Sequence, residues 1–227
     1  MRQVLALAAT VVLAVLPGPP IKAAENRTPL SYEQLFVLMF VDQGRAYGYQ
    51  VMMARIQLDT VRSELERDAA LLERNEDLFR RNAIPLIELE VSRLKDAWSR
   101  KQLVVAEKNV VFLSAEYEAM KLAAQHFGKG DVSAETLYET FLRGWEAGCD
   151  KGPDEVAAMA AWADFSVKSL ERARQLNARN VLPYSTVLER QAQLKIAQSN
   201  FENRRAGLER CRQVLFPSLD DIRAVAP

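Results

Sequence analysis

Leu58, Leu65, Leu72 and Phe79 recur every seven residues, with Val61 and Ala69 filling the apolar positions between them. Near the other end Val187, Leu194, Phe201, Leu208 and Leu215 keep the same interval, with Ala197 and Cys211 beside them. Between these runs, Ile87, Val91, Leu94, Trp98 and Val105, then Met159, Ala163, Leu170 and Ala173, follow a three-four spacing. That spacing puts apolar side chains on one face of a helix, and its repetition in sevens is the seam of a coiled coil.

The punctuation sets the boundaries. Ser31 followed by Gln34 is a capping-box signature, and no proline follows until Pro85, so one helix or two abutting helices run from about 32 to 81. Gly44 and Gly48 either kink that stretch or admit a close helix contact. The second helix is expected to last until Phe127-Gly128-Lys129-Gly130. A shorter helix over about Ala134 to Ala147 leads to Cys149 and a turn at Asp150-Lys151-Gly152. Pro153 stands where a helix restarts, the next helix covers roughly Asp154 to Arg179, and the last stops at Pro217. The pattern predicts an all-α fold of two long antiparallel coiled-coil helical hairpins, packed as an elongated bundle with a short connecting helix. Hairpin one takes about 31–127, the connector 128–152 and hairpin two about 153–216. Packing the hairpins together is required because each alone would leave a flank of Trp98, Trp162 or Phe201 in water.

Both hairpins turn on the same hexapeptide. Arg80-Arg81-Asn82-Ala83-Ile84-Pro85 and Ala178-Arg179-Asn180-Val181-Leu182-Pro183 lie 98 positions apart. Asn82 and Asn180 are placed to end the incoming helix in a left-handed conformation, for which asparagine is the usual substitute for glycine. Pro85 and Pro183 are expected to open the next helix as its first residue, since their φ is already near-helical and a first-turn N–H has no partner to lose; each pushes Ile84 or Leu182 out of helical geometry. Arg74 and Arg172 stand eleven residues before the prolines, and Leu78 and Leu176 seven before. Further on, Arg93-Leu94-Lys95-Asp96-Ala97 parallels Gln193-Leu194-Lys195-Ile196-Ala197. An internal duplication accounts for the match.

Composition narrows the function. The chain carries 30 basic and 30 acidic residues and nine each of glycine and proline, so it is folded, with no charge excess to attract nucleic acid. Residues 1–23 read as a secretory signal peptide: Arg2, an apolar run from Val4 to Leu16, the breaker Pro17-Gly18-Pro19-Pro20, and Ala23-Ala24 for cleavage. Thirteen apolar residues are too few to span about 30 Å of hydrocarbon, which leaves an uncleaved anchor as the alternative. Residues 24–227 then form a single elongated helical domain in the periplasm, with no membrane span in the mature chain, meeting the outer membrane only through partners. In that oxidising compartment Cys149 and Cys211 are expected to form a disulfide, the alternative being two separate buried thiols. His126 is the one histidine, better placed at a helix end than in a metal site, and no cofactor is expected.

Ser185-Thr186-Val187-Leu188-Glu189, then Leu194 and Ala197, resembles the TolC-like outer-membrane efflux factors, whose duplicated halves each carry a helical hairpin. The spacing from Arg74 through Leu78 to Pro85, followed by Glu88-Leu89-Glu90, is similar to the hairpin tip of periplasmic efflux adaptors, in which the position of Pro85 is usually serine. The resemblance covers about 60–120 and 165–216. It implies the periplasmic helical part alone, because no strands for an outer-membrane barrel and no adaptor modules surround the hairpins. It also implies protein partners: an efflux adaptor, TolC-like hairpins, or further copies of the chain, met through tips that carry Ile84, Leu86, Val181, Leu182 and Tyr184. The expected function is an interaction component of an efflux or secretion assembly; the alternative is a free-standing coiled-coil scaffold or chaperone-like binding protein. Catalysis has no motif to support it: Glu88 and Glu90 suit the positive end of the following helix better than an acid–base pair.

Overall fold

The computed structural model describes residues 29–213 and 216–225. The expected signal peptide over 1–23 and the heptad position Leu215 lie outside the described residues. Among the described residues there are six helices, α1 (Tyr32–Arg80), α2 (Leu86–Lys129), α3 (Ala134–Asp150), α4 (Gly152–Ala178), α5 (Tyr184–Gln213) and α6 (Leu219–Val225), and no strand. The protein is all-α. With no proline inside its 49 residues, α1 is one helix about 74 Å long. Gly44 and Gly48 serve contact: a Cβ on Gly48 would stand 3.3 Å from the Tyr117 ring of α2, and one on Gly44 3.6 Å from Met120. α2 ends at Gly130, whose φ of 71° is left-handed and whose N–H donates to the His126 carbonyl. The His126 ring then meets the Val132 carbonyl at 2.6 Å, so the lone histidine holds the turn into α3.

The heptads face one another. Leu58, Leu65, Leu72 and Phe79 of α1 are half-buried, as are Ile87, Val91, Leu94 and Val105 of α2. Full burial falls to small residues, since Ala119, Ala123, Ala158 and Ala197 are sealed completely. Alanine at the contact lets helix axes approach while longer neighbours cover the joint. Val51, Ala54 and Leu113 centre the core of the first hairpin, and Leu170, Ala173 and Val187 that of the second.

The helices lie in a row rather than a closed ring. α1 packs on α2, α2 on α4, and α4 on α5. Trp98 of α2 stacks on Trp162 and Phe165 of α4, at centroid distances of 6.2 and 6.0 Å, which keeps these rings out of water as the sequence requires. The short connecting helix is present but does more than connect. α3 lies along α2, with Gly144 under Glu116 and Gly148 against Phe112. α4 continues the line, as Lys151 meets Asn109, Trp162 meets Trp98, and Arg172 meets Glu88. Residue numbers rise along α3 and α4 as they fall along α2, with no slip between α3 and α4.

Asp150-Lys151-Gly152 is therefore an interruption and not a reversal, and Lys151 itself keeps right-handed helical angles. The cause is Pro153, whose missing N–H and bulky ring break one helical bond. Lys108 of α2 braces the gap, reaching the Asp150 carbonyl and the carboxylates of Asp150 and Asp154. Beyond α5 the chain also continues past Pro217. α6 opens on a reciprocal cap between Ser218 and Asp221, and Arg223 reaches Glu135 of α3. Shifted by 98 residues, the spans of α1 and α2 fall on 130–178 and 184–227, which α3 with α4 and α5 with α6 occupy. The halves therefore match in where their helices fall, although the second is broken at Lys151 and is not helical at 216–218.

Two polar features hold the rods. Cys149 of α3 and Cys211 of α5 stand at disulfide distance with Cα atoms 5.9 Å apart, and no free cysteine is left. Asp68, 4% exposed, lies inside hairpin one, where it accepts from Ser99 Oγ at 2.6 Å and pairs with Lys95 at 3.3 Å and Arg67 at 3.1 Å. Burial by itself raises its pKa; the Ser99 hydroxyl, Arg67 and Lys95 outweigh that and hold it below the ordinary carboxylate value. Lys95 also sits 3.9 Å from the centre of the Trp98 ring, which ties this cluster to the stacked aromatics between the hairpins.

Opening the 62-residue loop between the cysteines by reduction is expected to lower unfolding stability by up to about 4 kcal/mol; urea curves with and without reductant measure it. A depressed Asp68 stabilises fully above the unfolded value of about 4, and that contribution is lost as pH falls through its lowered folded value. Asp68→Asn should therefore cost about 2 kcal/mol at pH 7 and noticeably less at pH 2, read from urea midpoints at the two pH values.

Candidate interaction site at the paired hairpin tips

The two turns are copies of one backbone device. Asn82 has φ 55° and Asn180 φ 56°, the only non-glycine residues among those described with positive φ. The Asn82 N–H donates to the Phe79 carbonyl at 2.9 Å and the Ala83 N–H to the Leu78 carbonyl at 2.8 Å. At the second turn the Asn180 N–H donates to Asn177 at 2.8 Å and the Val181 N–H to Leu176 at 2.9 Å. This is the Schellman arrangement, in which the N–H of a left-handed residue and that of the residue after it satisfy carbonyls that the helix end leaves open. Leu78 and Leu176 thus recur at fixed distance from the prolines because their carbonyls close the turn.

The prolines sit one position earlier than expected. Helices resume at Leu86 and Tyr184, so Pro85 and Pro183 occupy the cap. Pro85 has φ −73° and ψ 158°, helix-compatible in φ alone, and its carbonyl accepts from the Glu88 N–H at 3.1 Å; Pro183 accepts from Thr186 at the same distance. A residue with extended ψ still offers its carbonyl to the first turn, so proline serves as a cap without a side-chain hydrogen bond.

The apolar tip residues divide in two. Leu86, Val181 and Tyr184 are 53%, 64% and 63% exposed, whereas Ile84 and Leu182 are half-buried against the turn. The inner pair staples the helices, and only the outer three present an open surface. Asn177 adds a strut that the first turn lacks, its side-chain amide donating to the Leu182 carbonyl at 2.8 Å, because Phe79 stands in the equivalent place.

The two arginines part company as well. Arg172 Nε lies 2.6 Å from Glu88 Oε1, an ion pair between the end of α4 and the first turn of α2. Lys168 adds a second pair to Glu90 at 3.2 Å. These contacts put both turns at the same end of the molecule. Half-exposed pairs of this kind are worth only about 0.2–1 kcal/mol each, so they align the tips more than they stabilise the fold. Arg74, the duplicate of Arg172, is exposed and makes no ion pair among the described residues, since α1 stands at the end of the row and has no helix in the place that α2 takes beside α4. Nothing in the sequence joins Glu88 to a residue 84 positions away; only the packing of α2 on α4 does so.

Among the described residues no group of His, Cys, Asp and Glu side chains is placed to hold a metal ion, and no helix is long and apolar enough to cross a membrane. Comparison with protein-family models, curated proteins and solved structures finds no match to the chain.

Because the left-handed asparagines carry the reversal, Asn82→Ala or Asn180→Ala is expected to cost about 1 kcal/mol, while the glycine substitution at either site is neutral or mildly stabilising. Chemical denaturation of the four single variants distinguishes these outcomes.

Proposed function

We propose that the protein is an exported, non-enzymatic interaction component of a cell-envelope efflux or secretion assembly, and that its two tips dock end-on against helical hairpins of a partner. The observation that carries this reading is the pair of identical reversals, held at one end by Arg172–Glu88 and Lys168–Glu90, with Leu86, Val181 and Tyr184 open to solvent. Turns are free to be polar, so apolar side chains kept at two of them favour a docking role. The resemblance of the hairpins to TolC-like efflux factors and adaptor tips supports the class of partner, and the N-terminal apolar run supports export. The repeated pairing of helices in a row, with no barrel strands among the described residues, suits the helical part of such an assembly.

A free-standing scaffold or chaperone-like protein is the second reading. It is favoured by a cleft of about 580 Å³ at the far end of hairpin one, lined by Val37, Phe40, Val41 and Tyr117, which suits an extended apolar client.

Replacing Leu86, Val181 and Tyr184 together with serine should leave helicity and unfolding midpoint nearly unchanged, since all three are exposed. Crosslinking in intact cells should then lose the neighbours captured by the wild type. Capture that persists with the fold intact would remove the tips from the docking surface, and loss of capture only on filling the cleft would select the scaffold reading.

A further inference from the structure

α1 is apolar on two opposite faces over its first half. Gly44, Val51 and Ala54 are buried toward α2. Leu35, Leu38, Tyr49, Met52 and Ile56 are 47–60% exposed. At 3.6 residues per turn these five fall within an arc of about 100° centred opposite the buried face. Beyond Ile56 the arc is mostly polar, with Thr60, Ser63, Arg67 and Arg74 in it and Leu71 as its one exposed large apolar residue, so the second apolar face belongs chiefly to the part of α1 farthest from the tips. A helix with two apolar faces needs two partners, and packing on α2 supplies one.

What covers the other face is indicated by its two charges. Asp42 and Arg45 fall inside the same arc, both are exposed, and neither makes an ion pair among the described residues. Set a second α1 antiparallel with Asp42 opposite the other copy's Arg45, and the two-fold axis passes between Gln43 and Gly44. In that register Leu38 meets the other copy's Tyr49, Leu35 meets its Met52, and both ion pairs close at the centre. A parallel in-register pairing would instead set Asp42 on Asp42 and Arg45 on Arg45, like charge on like. The exposed face of α5 is a poorer match, because Leu188 and Ile196 are its large apolar residues after Tyr184 and the rest is polar or small.

We infer that the face of α1 from Leu35 to Ile56 is a homodimer interface, in which two copies pack antiparallel about this axis. Isologous contact of this kind is self-complementary and closes without growing into filaments. The consequence for the tips is geometric: each turn at Asn82 lies about 58 Å from the axis at 1.5 Å per residue, so the dimer is a two-headed rod with tips about 115 Å apart. Such a rod can join two partners rather than end at one.

The test is sedimentation of the purified chain with charge-exchanged variants, their helicity confirmed by circular dichroism. The wild type should sediment at twice the chain mass. Asp42→Arg and Arg45→Asp, each alone, should raise the dimer dissociation constant about a hundredfold. The double exchange, Asp42→Arg with Arg45→Asp, should restore the wild-type dimer. A monomeric wild type, a trimer, single exchanges that leave the dimer intact, or a double exchange that fails to restore it would each overturn the interface. A cyclic contact between α1 and α5 would fail the restoration in particular, because the exchange mends only a contact that α1 makes with itself.

Discussion

Each half of the molecule depends on one left-handed residue. At Asn82 and Asn180 the backbone leaves helical geometry with positive φ, and the asparagine N–H and the one after it fold back on the helix they have left. That closure fixes where the chain reverses to within one residue. With the reversal fixed, the register of every pair along the hairpin follows, because a returning helix rises at the same rate as its partner. Asp68 finds Ser99 and Gly48 finds Tyr117 because both pairs are nearly equidistant from the turn. A different loop length would turn the buried alanines away from the joint.

Register alone does not make a bundle, and the forces that join the hairpins differ along their length. Near the tips the link is ionic, through Arg172 and Lys168. In the middle it is aromatic, with Trp98 against Trp162 and Phe165, and Lys95 over the indole. Farther from the tips α3 takes over through glycines: a Cβ on Gly148 would stand 3.1 Å from the Phe112 ring. α5 is the most polar of the long helices, so it has the least apolar surface to bury against α4. The cysteine pair stands toward its C-terminal end, where a covalent tie makes up for thin packing.

The row of helices suits the contact role proposed for the protein. A closed bundle would hide the outer face of α1, whereas a row leaves it free, and the same arrangement brings both reversals to one end. The proposed docking at the tips and the proposed pairing through the opposite half of α1 would therefore use separate surfaces of the chain. The Trp98 indole N–H, buried with no hydrogen-bond acceptor among the described residues, is a cost of about 1–3 kcal/mol accepted inside the aromatic stack.

Local signals determined much of this. The seven-residue spacing identified the seam faces, and Asn82, Asn180 and their prolines marked both reversals, because a turn is decided by the conformational limits of its own few residues. Ser218 followed by Asp221 is a cap signature of the same kind, legible in the sequence, and it starts α6. Position 151 was harder: glycine, proline and a charged residue read as a turn, yet the helix direction holds, because α2 supplies Lys108 and a continuous surface that carries α3 into α4. Whether Ile84 or Leu86 faces water, and whether Arg172 or Arg74 is engaged, also lay beyond any local pattern. Those outcomes depend on which helix lies alongside, and tertiary packing alone decides that, since it brings together residues that the chain keeps scores of positions apart.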